Sequence, residues 1–294
     1  MTAETRADIY TRITAEIAAA IAAGAGDWHM PWHHDGGSTA RPANVASGKP
    51  YRGVNTLALW IAAQARGYAS GTWGTYRQWQ ALGAQVRKGE RATAIIFWKR
   101  IGAAEDEQDV EDGDDRPRFV GRGYSVFNRC QVDGYEPPAV DALPEAERIP
   151  HAEAFIAALG IPTTLDADAA YYRVDLDRIF MPPFGAFEDS VAYISTFAHE
   201  SAHATGAKHR LDRDFTSRFS HQARAVEELV AELTAGYVLA DLGLAHHPRP
   251  DHAAYIASWL KVLKDDPRAI FTAASKAQQA ADWMHARQPR PAPS

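Results

Sequence analysis

The sequence predicts an α+β protein with two domains, an N-terminal mixed α/β domain and a C-terminal, mainly helical domain with a small edge sheet. β-Branched and aromatic segments lie in the first half of the 294 residues, whereas long helical patterns fill the second half. Residues 1–100 carry 12 basic and 6 acidic side chains, and the remainder carry 19 basic and 31 acidic ones. A Pro-, Ala- and Glu-rich segment separates the halves. We therefore predict domains at 1–135 and 151–294 with a linker at 136–150.

The first domain is predicted to combine helices with a pair of strands. The strands are 92–99 (ATAIIFWK) and 119–131 (FVGRGYSVFNRCQ), because both are rich in β-branched and aromatic residues. Between them, the acidic loop 104–117 carries eight Asp and Glu side chains, which favours a solvated hairpin connection. Apolar side chains at helical spacing predict three helices, at 4–24, 55–67 and 75–82.

The second domain is predicted to be mostly helical. Two short strands, 171–174 and 178–181, are joined by a turn and would form the small edge sheet. Apolar periodicity predicts five helices, at 152–159, 190–206, 223–242, 251–264 and 267–286.

Several classes of protein are excluded or disfavoured. No apolar run approaches the ~20 residues that span a bilayer, so no membrane partner is expected. The N-terminus MTAETRADIY lacks the apolar core of a secretory signal. Cys130 is the only cysteine, which excludes an intrachain disulfide and a cysteine-based zinc site and favours a buried structural thiol. We expect a cytoplasmic protein.

The segment His199-Glu200-Ser201-Ala202-His203 combines two imidazoles with an acid inside a predicted helix. Residues i and i+4 lie on one helix face, so His199 and His203 can bind one ion. Zinc lowers the pKa of a bound water towards 7, and Glu200 would then act as the general base. The expected cofactor is Zn²⁺, although another divalent ion would suit the same ligands. The alternative is that the two histidines are ordinary polar residues near the surface and bind no metal.

A catalytic zinc usually has three protein ligands, and the next helix supplies acids. We predict Glu228 as the third ligand, with Glu232 one turn on orienting a ligand histidine; the reverse assignment stays open. Glu227 lies about 100° away around the helix and is expected to be exposed. His252 and Tyr255 are candidate donors to the oxyanion of the transition state, and each is also an ordinary helix residue.

The basic first half is rich in aromatic residues, holding six of the eight tryptophans. Single-stranded nucleic acid is bound by stacking bases on aromatics in a basic groove. Burial in the core competes with this role, and we expect Trp60 and Trp98 to be core residues. On the residues alone the two interpretations are balanced. The candidate DNA-binding residues are Trp32, Asn44, Lys49, Tyr51, Arg52, Asn55, Trp73, Tyr76, Arg77, Arg87 and Lys88.

At this point the motifs resemble a known family, the ArdC-type antirestriction proteins, whose N-terminal domain is shared with TraC-type plasmid primases. The first half carries Trp28-His29-Met30-Pro31-Trp32, Gly48-Lys49-Pro50-Tyr51-Arg52-Gly53-Val54-Asn55, Trp73-Gly74-Thr75-Tyr76 and Val126-Phe127-Asn128. The second carries Asp177-Arg178-Ile179-Phe180-Met181-Pro182-Pro183, His199-Glu200-Ser201-Ala202-His203, Arg210-Leu211-Asp212-Arg213 and Glu227-Glu228-Leu229-Val230-Ala231-Glu232. The resemblance covers nearly the whole chain, but not the acidic loop.

The resemblance implies a domain that binds single-stranded DNA and a zincin-like metallopeptidase domain. It implies that the protein shields incoming mobile-element DNA from host restriction during conjugation. A host restriction or DNA-processing protein would be the substrate. Two alternatives stay open: a non-enzymatic DNA-binding protein with a structural metal, and a replication accessory that coats single strands for a primase.

Overall fold

The structure is a computed structural model of the chain. It describes residues 3–24, 41–101, 118–136, 144–165, 167–213, 221–244 and 252–289. Trp32, the acidic loop 104–117 and residues 137–143 of the predicted linker lie outside the described residues. Among the described residues, no helix is both long and apolar enough to cross a membrane.

In the residues described, the first half combines three helices with a four-stranded sheet. The helices are α1 (Ala3–Gly24), α2 (Val54–Arg66) and α3 (Tyr76–Ala81), and the strands are β1 (Ala43–Asn44), β2 (Thr72–Gly74), β3 (Gln85–Val86), β4 (Thr93–Ile101), β5 (Arg118–Asn128) and β6 (Val132–Asp133). The sheet order is β1-β2-β5-β4, and β3 pairs with β6 separately. β4 and β5 pair antiparallel from Thr93 opposite Val126 to Ile101 opposite Arg118, as the sequence predicted.

Individual residues determine where α2 ends and where α3 begins. Gly67 follows α2 with φ 64, a left-handed conformation that suits glycine and ends a helix. Thr75 caps α3, because its hydroxyl accepts the backbone N–H of Gln78 while the Gln78 side chain accepts the N–H of Thr75.

The second half is mainly helical with a small sheet. Its helices are α4 (Glu145–Ala157), α5 (Ser190–Ala204), α6 (His221–Asp241), α7 (His252–Asp265) and α8 (Ala269–Ala286), and its strands are β7 (Thr163–Thr164), β8 (Tyr171–Arg173) and β9 (Arg178–Phe180). The sheet order is β7-β9-β8, with β8 at one edge. Tyr172, Ile179 and Met181 pack with Ala204 and fix this sheet against α5. The α+β class is confirmed.

Helix α4 begins earlier than predicted, inside the segment assigned to the linker. That segment contains Pro144 and Pro150, and Pro150 lies inside the helix. Pro144 in fact precedes the helix at its N-cap, where its missing N–H is harmless. The Ala and Glu between the prolines favour a helix.

One hydrophobic core crosses the two halves. Ile13, Ile17 and Ile21 of α1 and Leu57 of α2 belong to the same buried cluster as side chains of α6, α7 and α8. The hydroxyl of Thr14 also donates to the carbonyl of Pro267, at 2.6 Å. Helix α1 and one side of α2 therefore share their core with the second half, whereas Leu59 of α2 and Trp79 of α3 belong to smaller clusters within the first half.

Replacing Leu57 with alanine tests the shared core. Leu57 is fully buried, so Leu57→Ala is expected to lower the free energy of unfolding by about 2–5 kcal/mol. Urea denaturation followed by circular dichroism measures the change. The exposed Leu165 supplies the control, since Leu165→Ala should change stability by less than about 0.5 kcal/mol. Two separate transitions, of which only one responds to Leu57→Ala, would contradict a common core.

Candidate metal centre

Helix α5 brings two histidines to one buried point. His199 and His203 are one turn apart, and their Nε2 atoms lie 3.1 Å from each other. Both residues are almost fully buried, at 2% and 5% exposure. Asp189 caps the start of this helix by accepting the N–H of Ala192 at 2.7 Å, so the register of the pair is held locally.

Helix α6 packs against α5 and adds a carboxylate. Oε2 of Glu228 lies 3.4 Å from Nε2 of His199 and 3.6 Å from Nε2 of His203. Ligand atoms at 2.0–2.2 Å from a tetrahedral zinc are roughly 3.3–3.6 Å apart. The three atoms thus form a triangle of the size that one such ion requires, and the residues present fit a divalent metal.

The outer nitrogen of each imidazole faces a second carboxylate. Nδ1 of His199 lies 2.6 Å from Oε1 of Glu232, and Nδ1 of His203 lies 3.3 Å from Oε1 of Glu227. A proton on Nδ1 directed at a carboxylate leaves Nε2 free to bind a metal. Glu232 thus lies beside a ligand candidate, and its orienting role stays a prediction. The expectation that Glu227 is exposed is wrong, because its side chain is only 11% exposed.

Arg213 completes this arrangement and was given no role by sequence reasoning. Its guanidinium donates to both carboxylate oxygens of Glu227, at 2.7 and 3.1 Å. It also donates to the hydroxyl of Thr205 at 2.6 Å and the carbonyl of Ala202 at 2.7 Å, both at the end of α5. The arginine therefore holds Glu227 against the helix that carries the histidines.

The cluster carries an excess of buried negative charge. Burial disfavours charged His203, but Glu228 and Glu227 outweigh it and raise the pKa of His203 to about 10. Burial likewise opposes charge on Glu228, yet the two histidines hold its pKa far below the ordinary value. For Glu227, the bonds to His203 and Arg213 also overcome burial and lower the pKa. The site therefore favours a cation.

The other residues predicted for this site are Glu200, His252 and Tyr255. Glu200 is buried on α5, at 3% exposure, and its charge contributes to the raised pKa of His203. Tyr255 of α7 is half-buried, with its ring stacked on Trp259 and beneath the guanidinium of Arg224. His252 is the first residue of α7, and its side chain lies outside the described part. The oxyanion roles of Tyr255 and His252 stay predictions.

The edge sheet is tied to the turn that follows α5. Asp177, at the tip of the β8–β9 hairpin, accepts two hydrogen bonds from Arg210, at 2.6 and 2.9 Å. It also accepts the hydroxyl of Tyr172, at 2.7 Å. Its backbone has φ 45, which an aspartate tolerates in a tight turn. The outer edge of β8 is thereby held at a set position relative to the metal helix.

In the first half, a cavity of about 860 Å³ gathers five of the predicted DNA-binding residues. Its lining includes Asn44, Lys49, Tyr51, Arg52 and Asn55. It also includes three aromatic side chains of the β4–β5 hairpin that sequence reasoning did not assign to DNA: Phe97, Trp98 and Tyr124. We call this cavity the aromatic groove. Phe97 is 60% exposed and Tyr124 39%, so both rings can be reached from solvent.

Two predictions about tryptophan are wrong. Trp73 is fully buried and packs with Leu59, Ile95 and Val126, so it offers no face to a base. Trp98, expected in the core, is 44% exposed. Trp60, in contrast, is buried as predicted.

The other candidates divide between structural and exposed positions. The Asn55 side chain pairs with both backbone groups of Ile96 and joins α2 to β4, which is a structural task. Tyr76, Arg77 and Lys88 are exposed but do not line the aromatic groove. Arg87 pairs with Asp133 and Glu90. Cys130 is only partly buried.

Comparison with known proteins covers both halves. Residues 7–127 match the family described as the N-terminal domain of anti-restriction factor ArdC, and residues 150–276 match the zincin-like metallopeptidase family. The uncharacterized protein y4eC of Sinorhizobium fredii (strain NBRC 101917 / NGR234) is 57% identical over 98% of this chain and 94% of its own length. A DNA primase TraC of Escherichia coli is 36% identical over 90% of this chain, which spans only 19% of that protein.

Solved structures agree with these matches. The metal-free crystal structure of the antirestriction ArdC protein from the R388 plasmid superposes with a TM-score of 0.77 at 38% sequence identity, covering 95% of this chain and 97% of that one. Its Mn(II)-bound form gives a TM-score of 0.75 over the same coverage.

Substituting the acids of α6 one at a time tests which of them is a ligand. Glu228→Gln is expected to abolish stoichiometric binding of Zn²⁺ or Mn²⁺, because it removes one corner of the triangle. Glu232→Gln and Glu227→Gln should weaken affinity only about 10–100-fold, as substitutions behind a ligand do. Isothermal titration with metal measures both effects, with the exposed Glu188→Gln as control. Retention of full affinity by Glu228→Gln, with loss in Glu232→Gln, would reverse the assignment.

Proposed function

This chain belongs to the ArdC family of antirestriction proteins, and we propose that it binds single-stranded DNA and carries a metallopeptidase site. By these means it would protect incoming mobile-element DNA from host restriction during conjugation, in the cytoplasm. The observation that carries the enzymatic part is the triangle of His199, His203 and Glu228. The observation that supports DNA binding is the aromatic groove.

The proposed ligands are His199, His203 and Glu228, with Glu232 and Glu227 orienting the two imidazoles. Two imidazoles and one carboxylate suit Zn²⁺, and the Mn(II) in the related R388 structure supports a divalent ion more broadly. When bound, such an ion would act as a Lewis acid towards a peptide carbonyl and would activate water. Glu228 is the most exposed of the three side chains, at 14%, so substrate would approach from its side.

Glu200 is the proposed general base. It follows His199 directly on α5, in the position where an acid can take a proton from attacking water and pass it to the leaving amine. The edge strand β8 supports an extended peptide as substrate, because its outer edge pairs with no strand of the described residues and such an edge can pair with a further strand. A host restriction or DNA-processing protein is the substrate that fits the antirestriction role.

The aromatic groove is the proposed binding site for single-stranded DNA. Phe97 and Tyr124 meet edge to face with ring centroids 6.2 Å apart, and the guanidinium of Arg122 lies 5.8 Å from the Tyr124 ring. Lys49 and Arg52 also line the groove, and their positive charges can bind phosphates. Exposed rings beside cations suit stacked bases of any sequence, whereas duplex DNA hides its base faces.

A non-enzymatic protein with a structural metal is the alternative, and the low exposure of the histidines favours it. Glu200→Gln decides between the two. The variant is expected to keep its metal but to lose antirestriction at least about 100-fold, because a general base contributes 10²–10⁴ to a rate. Counting transconjugants in restricting and non-restricting recipients measures the loss, with Glu188→Gln as control. Full protection by Glu200→Gln would favour the non-enzymatic alternative.

Removing an exposed ring tests the groove. Phe97→Ala is expected to weaken binding of oligo-dT about 10-fold, because stacking one base contributes 1–3 kcal/mol. Fluorescence anisotropy measures the dissociation constant. Tyr171→Ala removes another exposed ring, on the edge sheet and 41% exposed, and should leave the constant unchanged. Equal affinity of the wild-type protein for single- and double-stranded DNA would defeat the strand preference.

A further inference from the structure

We propose that the DNA strand leaves the aromatic groove across the Arg52–Asp282 ion pair and continues onto α8, so that the metal-bearing half supplies part of the binding site. In this arrangement a phosphate displaces Asp282 from Arg52. The proposal rests on the proposed function, because it extends the single-strand path that the aromatic groove begins.

A second cavity adjoins the first. It has a volume of about 530 Å³ and lies between the start of α2 and the exposed face of α8. Arg52, Asn55 and Trp98 line both cavities, so the two form one continuous surface. The α8 side contributes Phe271, Ser275, Gln279 and Asp282. We call it the α8 groove.

The chemistry of the α8 groove resembles that of the aromatic groove. Trp98 and Phe271 offer apolar faces, and Ser275 and Gln279 offer exposed hydrogen-bonding groups. Arg52 supplies the cation at the crossing. Aromatic faces, amides and a cation along one surface suit a chain of nucleotides.

Asp282 is the one acid on this lining, and it is paired with Arg52. The two side chains are 59% and 45% exposed, so solvent screens their attraction. Gln278 holds the carboxylate by donating to Oδ1 at 2.9 Å. Arginine binds phosphate with the same two-pronged geometry that it uses for a carboxylate. A DNA phosphate can therefore replace Asp282 at small cost.

The crossing point is held rigidly between the halves. The N–H of Gly53 donates to Oε1 of Gln278 at 3.2 Å, and the carbonyl of Gly53 accepts the hydroxyl of Tyr237 at 3.0 Å. Gly53 has φ 56, and an added Cβ there would sit 3.7 Å from the carbonyl oxygen of Ala274. Arg41 donates to the same Gln278 oxygen at 2.6 Å. Arg52 consequently stays beside α8.

Removing the competing acid is the main test. Asp282→Asn is expected to tighten binding of oligo-dT about 3- to 10-fold at low salt, since Arg52 loses its carboxylate partner and becomes free to bind a phosphate. In the Arg52→Ala background the same substitution should give no gain. Glu188→Gln, which removes a remote exposed charge, should leave affinity unchanged. A gain that persists without Arg52 would overturn the exchange of partners.

A charge placed in the α8 groove tests the path itself. Gln279→Glu is expected to weaken binding of long oligo-dT several-fold and to spare the shortest ones, in a series of roughly 4 to 16 nucleotides. Ala257→Glu adds the same charge at an exposed position of α7 and serves as control. Circular dichroism confirms that each variant is folded.

The outcomes separate this inference from the proposed function. If the wild-type protein binds no oligo-dT, the proposed function fails. A second outcome is that the wild-type protein binds oligo-dT with an affinity that Phe97→Ala lowers and that Gln279→Glu and Asp282→Asn leave unchanged. That result would overturn the α8 path and leave the aromatic groove as the binding site.

Discussion

The contact between α5 and α6 is the constraint on which the rest of the structure depends. It places two imidazoles opposite Glu227, Glu228 and Glu232 in a space that water barely reaches. Buried carboxylates are stable only when they are compensated. Arg213 compensates the charge of Glu227. The negative charge of the other carboxylates must be balanced by a bound proton or a cation. The helix pair is therefore held in register by charge as well as by apolar contact.

Helix α6 also joins the two halves. One end of it carries the acids of the metal site, and Tyr237, further along, packs on Trp60 of α2 and donates to the carbonyl of Gly53. Beside it, α8 reaches the same backbone through Gln278. The aromatic groove and the metal centre thus share supporting helices. The arrangement explains how the proposed nucleic-acid surface and the candidate metal centre keep a set spacing on one molecule.

Much of this could be predicted from the sequence, since periodicity locates α5 and α6 and the i, i+4 spacing pairs the histidines. The burial of Glu227 could not be predicted, because its position around α6 says nothing about its partner Arg213, which comes from an irregular segment. Trp73 and Trp98 were misassigned for a similar reason. Side chains on β4 do not alternate simply: Ile95 and Ile96 are both buried, and Phe97 and Trp98 are both exposed. The early start of α4 could not be predicted either, because Pro144 caps this helix and Pro150 lies inside it without ending it.

The isoleucine stripe of α1 has a consequence for how such a protein can be divided. Ile13, Ile17 and Ile21 are covered in part by helices from the far end of the chain. Cutting the chain between the halves would expose that stripe to water as an apolar patch, and such patches promote aggregation. Recombination that separated the halves would therefore lower the solubility of each product, whether or not its activity was retained. The pair is therefore expected to be inherited, and to be engineered, as a single unit.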